Sequence, residues 1–163
     1  MKTLLIVYHS KTGGTRQMAE AAARGAAAEP KARVSLRHAI QANEGDLLGA
    51  DGYIFATPEN LAMMSGLMKD FFDRTYYAVL DRIAGRPYGT LVCAGTDGEN
   101  AARQIQRIAR GWRLKPVSDP IIVCTRAETP EAILAPKAIG DLDLNRCKEL
   151  GAALAAGLAL GLY

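Results

Sequence analysis

The strongest constraint on this chain is its alternation of short apolar runs with longer amphipathic stretches. Leu4–Tyr8 is apolar throughout, as a strand buried on both sheet faces requires. Further strands are read at Val34–His38, Gly52–Thr57, Gly89–Ala94 and Ile121–Cys124. Between them lie helical patterns at Thr15–Ala28, Ser65–Tyr77 and Glu99–Gly111, and a last helix starts near Leu142. In the first helix Arg16, Glu20 and Arg24 fall at i, i+4 spacing on a solvated side, with Pro30 just past its end. In the third, Ile105, Ile108, Ala109 and Trp112 fall at i, i+3, i+4, i+7 on the face to be buried. The polar stretch before Gly52 holds at most a short turn at Asp46–Leu48. Helices between successive strands require parallel pairing, because each crossover must carry the chain back over a sheet face. The expectation is therefore a single three-layer α/β domain over residues 1–163, a parallel sheet with helices on both faces.

Composition removes the competing classes. The chain has 49% hydrophobic residues, 23% charged residues and a net charge of +3 over 163 residues, which suits one packed core and not a disordered segment. The apolar run after Met1-Lys2-Thr3 is too short for a signal-peptide core and has no small-residue cleavage site behind it. The uncharged stretch from Leu150 to Tyr163 falls short of the roughly 20 residues of a spanning helix and reads as a core-packed C-terminal helix. Cys93, Cys124 and Cys147 are odd in number and lie in unrelated contexts. They make neither a disulfide framework nor a zinc site, which suits a reducing cytoplasm.

Ligands of open parallel sheets sit beyond the carboxyl ends of the strands, so the loops after the first, third and fourth strands carry the functional reading. The first is Ser10-Lys11-Thr12-Gly13-Gly14-Thr15. Its small residues let backbone N–H groups point inward as an anion nest, the following helix adds its positive end, and the hydroxyls donate to a phosphate. It lacks the Walker A spacing, and the chain has no Gly-x-Gly-x-x-Gly fingerprint. The same residues also make a tight βα turn with a helix cap at Thr15, and both readings stand at this point.

The second loop runs from Thr57-Pro58-Glu59-Asn60-Leu61 through Met63 and Met64 to Gly66. Leu61 and the methionines suit a ring face, and the backbone near Glu59 and Asn60 suits a heterocycle's edge; packing beneath the next helix accounts for the methionines equally well. The third, Gly95-Thr96-Asp97-Gly98-Glu99-Asn100, permits close backbone approach, while Thr96 or Asp97 as N-cap explains it without a ligand.

Together these segments resemble the flavodoxin-like family, which includes flavodoxins and NAD(P)H-dependent flavin and quinone reductases. Ser10-Lys11-Thr12-Gly13-Gly14-Thr15 matches that family's phosphate loop for flavin mononucleotide (FMN). Thr57-Pro58 through Met64-Ser65-Gly66, followed by Lys69, Phe72, Asp73 and Arg74, looks like the ring loop and helix of the quinone-reductase branch. The resemblance implies five parallel strands in the order 2-1-3-4-5. It puts Ser10, Lys11, Thr12, Gly13, Gly14 and Thr15 at the phosphate, and Thr57, Pro58, Glu59, Asn60 and Leu61 on one side of the flavin ring. Gly95, Thr96, Asp97 and Gly98 close the other side.

The implied function is an FMN-dependent oxidoreductase passing electrons from NAD(P)H to a small acceptor such as a quinone or a flavin. The alternative is an electron carrier that docks on redox proteins without oxidising NAD(P)H itself, and the third is a flavin-free interaction domain. Relatives in the reductase branch often form dimers or tetramers. No catalytic acid, base or nucleophile is assigned, because the cofactor carries the hydride chemistry. Glu59 and Asp97 are candidate charges for lowering the flavin's potential. The chain departs from its relatives in two respects. Neither ring-flanking loop contains Trp, Tyr or Phe, and the pI of about 8.8 contrasts with the strongly acidic flavodoxin carriers.

Among the remaining residues, His9 is read as loop support or a solvated ring, with no partner that would make it a base, and Cys93 and Cys124 as core thiols on buried strands. Arg103, Arg107 and Arg110 form a basic stripe, continued by Arg113 and Lys115, that is either a solvated face or a contact for an acidic partner or the phosphate of NADPH. No aromatic platform accompanies these arginines, which argues against nucleic acid. A phosphoryl-signalling receiver is excluded because no acidic pair follows the first strand, where Tyr8 and His9 stand.

Overall fold

A computed structural model describes residues 1–163. Its strands are β1 (Lys2–Tyr8), β2 (Ala32–His38), β3 (Gly52–Asn60), β4 (Met63–Met64), β5 (Pro87–Ala94), β6 (Lys115–Pro116) and β7 (Ile121–Cys124). Its helices are α1 (Gly14–Ala26), α2 (Glu44–Gly49), α3 (Gly66–Val79), α4 (Glu99–Gly111), α5 (Pro130–Leu134) and α6 (Asp141–Leu160). β1 pairs parallel with β2 on one side and with β3 on the other, and β3 pairs parallel with β5. The outer edge of β5 is covered first by β6 and then by β7, both parallel to it. The order is β2-β1-β3-β5-(β6/β7). Leaving out the short antiparallel β4, which pairs with the end of β3, and counting β6 and β7 as one interrupted edge strand, the five parallel strands run in the order 2-1-3-4-5 that the resemblance implies.

Residues alternate between the two faces of each strand, so each face carries its own core. Leu4 and Ile6 of β1, Ile54 of β3 and Leu91 of β5 pack against Met18 of α1 and Leu154 of α6. Gly25 and Gly151 bring those two helices into backbone contact: a Cβ on Gly25 would strike the carbonyl of Lys148, and one on Gly151 that of Ala22. The opposite face is aromatic. The ring of Phe55 lies 5.2 to 6.4 Å, centroid to centroid, from those of Phe71, Phe72, Tyr88 and Trp112, within the range where edge and tilted ring pairs attract. The apolar tail packs only in part: Leu150, Leu154 and Leu158 are buried, but the helix ends at Leu160, and Leu160, Leu162 and Tyr163 are exposed. No helix is long and apolar enough to cross a membrane.

Several expectations need correction. The turn at Asp46–Leu48 is a full helix, α2, started by a capping box in which Asn43 accepts from the Asp46 amide and Asp46 accepts from that of Asn43. Ile108 is half-buried; the buried face of α4 is Ala101, Ala102, Ile105 and Ala109, continued by Trp112. Cys124 is likewise half-buried, whereas Cys93 and Cys147 are buried. Burial raises the thiol pKa to about 11 for Cys93 and about 12 for Cys147, so both stay protonated. Arg103, Arg107 and Arg110 are exposed and pair with no carboxylate.

Candidate functional site

The carboxyl ends of β1, β3, β5 and β7 open onto one cavity of about 570 Å³, within the range of small-molecule sites. β1 delivers Ser10, Lys11, Thr12, Gly14 and Thr15 to its wall, β3 delivers Pro58, Glu59, Asn60 and Leu61, and β5 delivers Gly95 and Thr96. The three loops singled out in the sequence therefore meet at one place.

The first loop differs from its capping interpretation. The residue at the N-cap of α1 is Gly13, held at φ 93°, and no side chain caps the helix. That left-handed conformation is one a side chain at this position would strain. Gly13 N–H donates to Ser10 Oγ at 3.1 Å, which closes the loop on itself. Thr15 lies inside the first turn of α1, only 1% exposed, and its Oγ1 has no partner in the protein. Such a buried hydroxyl calls for an explanation. Gly14 is packed so closely that a Cβ there would stand 2.5 Å from Cys93 Sγ. The first amides of α1 have no acceptor within the helix, and its positive dipole end faces the same side.

Gln17 fastens this loop to the chain that follows β7. Its Nε2 donates to Gly13 O at 3.0 Å and to Lys137 O at 2.7 Å, and its Oε1 accepts from the Ile139 amide at 3.0 Å. The Lys137 amide donates to Thr12 O at 2.8 Å. Lys137 Nζ caps α5 by donating to the carbonyls of Ala132, Ile133 and Ala135. His9, just before the loop, has a buried, unpartnered Nδ1. Desolvation first, and then the neighbouring His38 and Lys11, lower its pKa and favour the neutral ring.

The second loop is a hairpin. β3 continues to Asn60, and Met63 and Met64 return antiparallel as β4, pairing Asn60 with Met63 and Glu59 with Met64. Thr57 does not reach the cavity: its side chain is fully buried, and its Oγ1 donates to Pro58 O and accepts from the Ser65 amide. Ser65 in turn caps α3 through the Met68 amide. Met64 is buried and Met63 half exposed.

In the third loop neither Thr96 nor Asp97 is the N-cap. That position belongs to Gly98, at φ 86° and without a side-chain cap, and the Gly98 amide donates instead to Glu59 Oε2. The Glu59 carboxylate thus sits at the positive end of α4, where the dipole favours it. Gly13, Asp97 and Gly98 shape the loops without lining the cavity, and Asp97 is exposed.

The cavity also takes Cys93 and Ala94 from the end of β5, and Thr125, Ala127, Ile133 and Lys137 from the segment after β7. None of these was assigned to a site from sequence. The carboxyl-end rule applied to the fifth strand would have reached Thr125 and Ala127. The Thr129-Pro130-Glu131 sequence carries a legible helix start, with Thr129 accepting from the Ala132 amide and Pro130 in the first turn.

Comparison with known proteins gives a consistent set of relatives. The NADPH-dependent FMN reductase family (FMN_red) matches residues 36–128, more than half of the chain. A protein named flavodoxin from Aquifex aeolicus is 37% identical over 94 residues, covering 58% of this chain and 49% of that protein. An NAD(P)H dehydrogenase (quinone) from Acidithiobacillus ferrooxidans is 35% identical, covering 46% of this chain and 48% of that one. The chain thus spans about half the length of these two relatives. In structure it is similar to a flavodoxin from the domain Archaea, with a TM-score of 0.78, 23% identity, and coverage of 96% of this chain and 98% of the other.

Proposed function

Because the chain belongs to the NADPH-dependent FMN reductase family, we propose that it is an FMN-dependent oxidoreductase that takes electrons from NADH or NADPH and passes them to a small acceptor such as a quinone or a free flavin. The observation that carries the cofactor is Thr15: a buried hydroxyl without a protein partner, in the first turn of a helix and on the wall of the cavity. A phosphate at the end of α1 gives that hydroxyl its acceptor and meets the dipole and the free amides of the helix. Gly14 lets the loop pack directly against Cys93, where a side chain would collide. The residues present fit a mononucleotide.

In this reading Ser10, Lys11, Thr12, Gly13, Gly14 and Thr15 hold the phosphate. Pro58, Glu59, Asn60 and Leu61 border the ring on one side, and Gly95 and Thr96 on the other. Thr57, Asp97 and Gly98 act through the backbone they set, Gly98 by anchoring Glu59. Bound FMN supplies hydride and single-electron transfer, so the chain needs no nucleophile of its own. Its task is to orient the ring, exclude water and leave one face accessible. The cavity narrows the role of the proposed tuning charges. Glu59 accepts from the Gly98 amide at the positive end of α4, and Asp97 is exposed and outside the cavity lining, which weakens the case for either as a free charge tuning the ring.

A second reading, an electron carrier that does not oxidise NAD(P)H, is supported by the similarity to two flavodoxins. Steady-state oxidation of NADPH and NADH by FMN-loaded protein, with p-benzoquinone as acceptor, separates the two. Catalytic turnover supports the reductase; bound flavin without turnover from either nucleotide moves the function to the carrier.

A further inference from the structure

The turn of the β3–β4 hairpin is built from residues that do not favour it. Leu61 and Ala62 form a two-residue connection with φ of 51° and 63°. Positive φ at both central residues is the sign pattern of a type I′ turn, which ordinarily takes Asn-Gly or Asp-Gly because other residues are strained there. Leu61 is also 92% exposed, although it lines the cavity. A leucine in this position is therefore unfavourable both sterically and in its hydration.

The opposing hold comes from α4. The Gly98 amide donates to Glu59 at the end of β3, Asn100 Nδ2 donates to Ala62 O at 2.8 Å, and the Met64 amide donates to Gln104 Oε1 at 2.8 Å. The three contacts fall before, within and after the strained turn, and Asn100 and Gln104 lie at i, i+4 on one helix face. Neither lines the cavity. Resting on the flavin reading above, we propose that Asn100 and Gln104 are positioning residues that hold the Leu61–Ala62 turn in its strained form before any ligand arrives. Leu61 then stands as an aliphatic wall for a planar heterocycle, in a loop that contains no aromatic residue. The exposed surface of Leu61 is covered when the ring enters, so the strain held in the free protein is compensated by apolar contact in the complex.

The test compares Asn100→Ala, Gln104→Ala and the double variant with the wild type, measuring dissociation constants for FMN and for riboflavin by quenching of flavin fluorescence. Amide exchange at Ala62 and Met64 is followed in the flavin-free proteins. The grip predicts losses of about threefold to fivefold for each single variant, the size of a modest hydrogen bond, and at least tenfold for the pair. The losses should be equal for FMN and riboflavin because only the ring is affected, with faster exchange in the hairpin. Unchanged affinities in the folded variants, or losses confined to FMN, would overturn it. Leu61→Gly supplies the second arm: relief of the left-handed strain should raise the melting temperature of the flavin-free protein while both flavins weaken about tenfold. A lowered melting temperature or unchanged flavin affinity would refute the strained-wall role. A wild type that binds neither flavin would instead end the functional reading and the ring-wall role with it, whereas wild-type binding with unaffected variants overturns the grip alone.

Discussion

Replacing Thr15 by Val separates a phosphate site from a merely well-packed turn, because the two give opposite signs in the free and bound protein. Thr15 Oγ1 is buried and unpartnered, so its removal from the flavin-free protein takes away an unsatisfied polar atom. Stability should hold or rise by up to about 1 kcal/mol. With FMN bound, the same change removes a hydrogen bond to a charged phosphate, worth about 1.5 to 3 kcal/mol, so affinity should fall roughly tenfold to a hundredfold. Riboflavin, which has no phosphate, should bind within about twofold of the wild type on that scale. Thr90 provides the control: its Oγ1 is also buried without a partner, yet it lies on β5 outside the cavity lining. Thr90→Val should leave FMN and riboflavin binding alike unchanged. Fluorescence titration of the six protein–flavin pairs, wild type and the two variants with each flavin, and urea unfolding of the three flavin-free proteins suffice. Equal losses of FMN and riboflavin in Thr15→Val, or destabilisation of its flavin-free form, would refute the phosphate assignment.

Gly14→Ala should abolish FMN binding and destabilise the fold by about 2 kcal/mol through overpacking against Cys93; Cys93→Ala in the same chain should recover most of the stability, read as the urea midpoint. Gln17→Ala breaks the bond to Gly13 O and the two bonds to Lys137 and Ile139 by which that side chain ties residues 137–139 to the loop after β1, and limited proteolysis should then cut near Lys137 in the flavin-free protein. The buried thiols contribute to the loss of stability at alkaline pH, together with the buried phenol of Tyr53. The thiols' folded pKa values, about 11 and about 12, lie above the ordinary 9.0, so the stability they contribute is complete below about pH 9 and is lost as pH rises toward 11 and 12. For Cys93 alone this amounts to about 3 kcal/mol, measurable as a fall of the urea midpoint with pH that Cys93→Ala makes shallower, Cys147 and Tyr53 keeping the rest.

The strands and the site loops were legible in the sequence for different reasons. Leu4–Tyr8 and Gly89–Ala94 announce themselves because a strand covered on both faces cannot afford a polar interruption. The loop Ser10–Thr15 is legible because its run of hydroxyl residues and glycines between a buried strand and a helix is the pattern of an anion cradle. The β3–β4 hairpin was not, since Leu61-Ala62 carries none of the Asn or Gly that marks a I′ turn. Its conformation is imposed by Asn100 and Gln104, some 40 residues away in the chain. The caps of α1 and α4 were misplaced for a related reason. Thr15, Thr96 and Asp97 are good capping residues, but a left-handed glycine precedes each helix, leaving Thr15 free to face inward. The wall contributed by Ile133 and Lys137 depends on Gln17 reaching across 120 residues of sequence, which no local pattern encodes.

The central claim is that the cavity at the end of α1 holds FMN and that the loaded protein accepts electrons from a nicotinamide nucleotide. Its most direct test is one anaerobic cuvette: the protein is titrated with FMN while its visible spectrum is followed, and NADPH and NADH are then added to separate portions. A perturbed flavin spectrum that saturates at one FMN per chain and bleaches on addition of at least one nucleotide is the predicted result. An unperturbed spectrum would contradict the site, and a saturated spectrum that neither nucleotide bleaches would contradict the reductase.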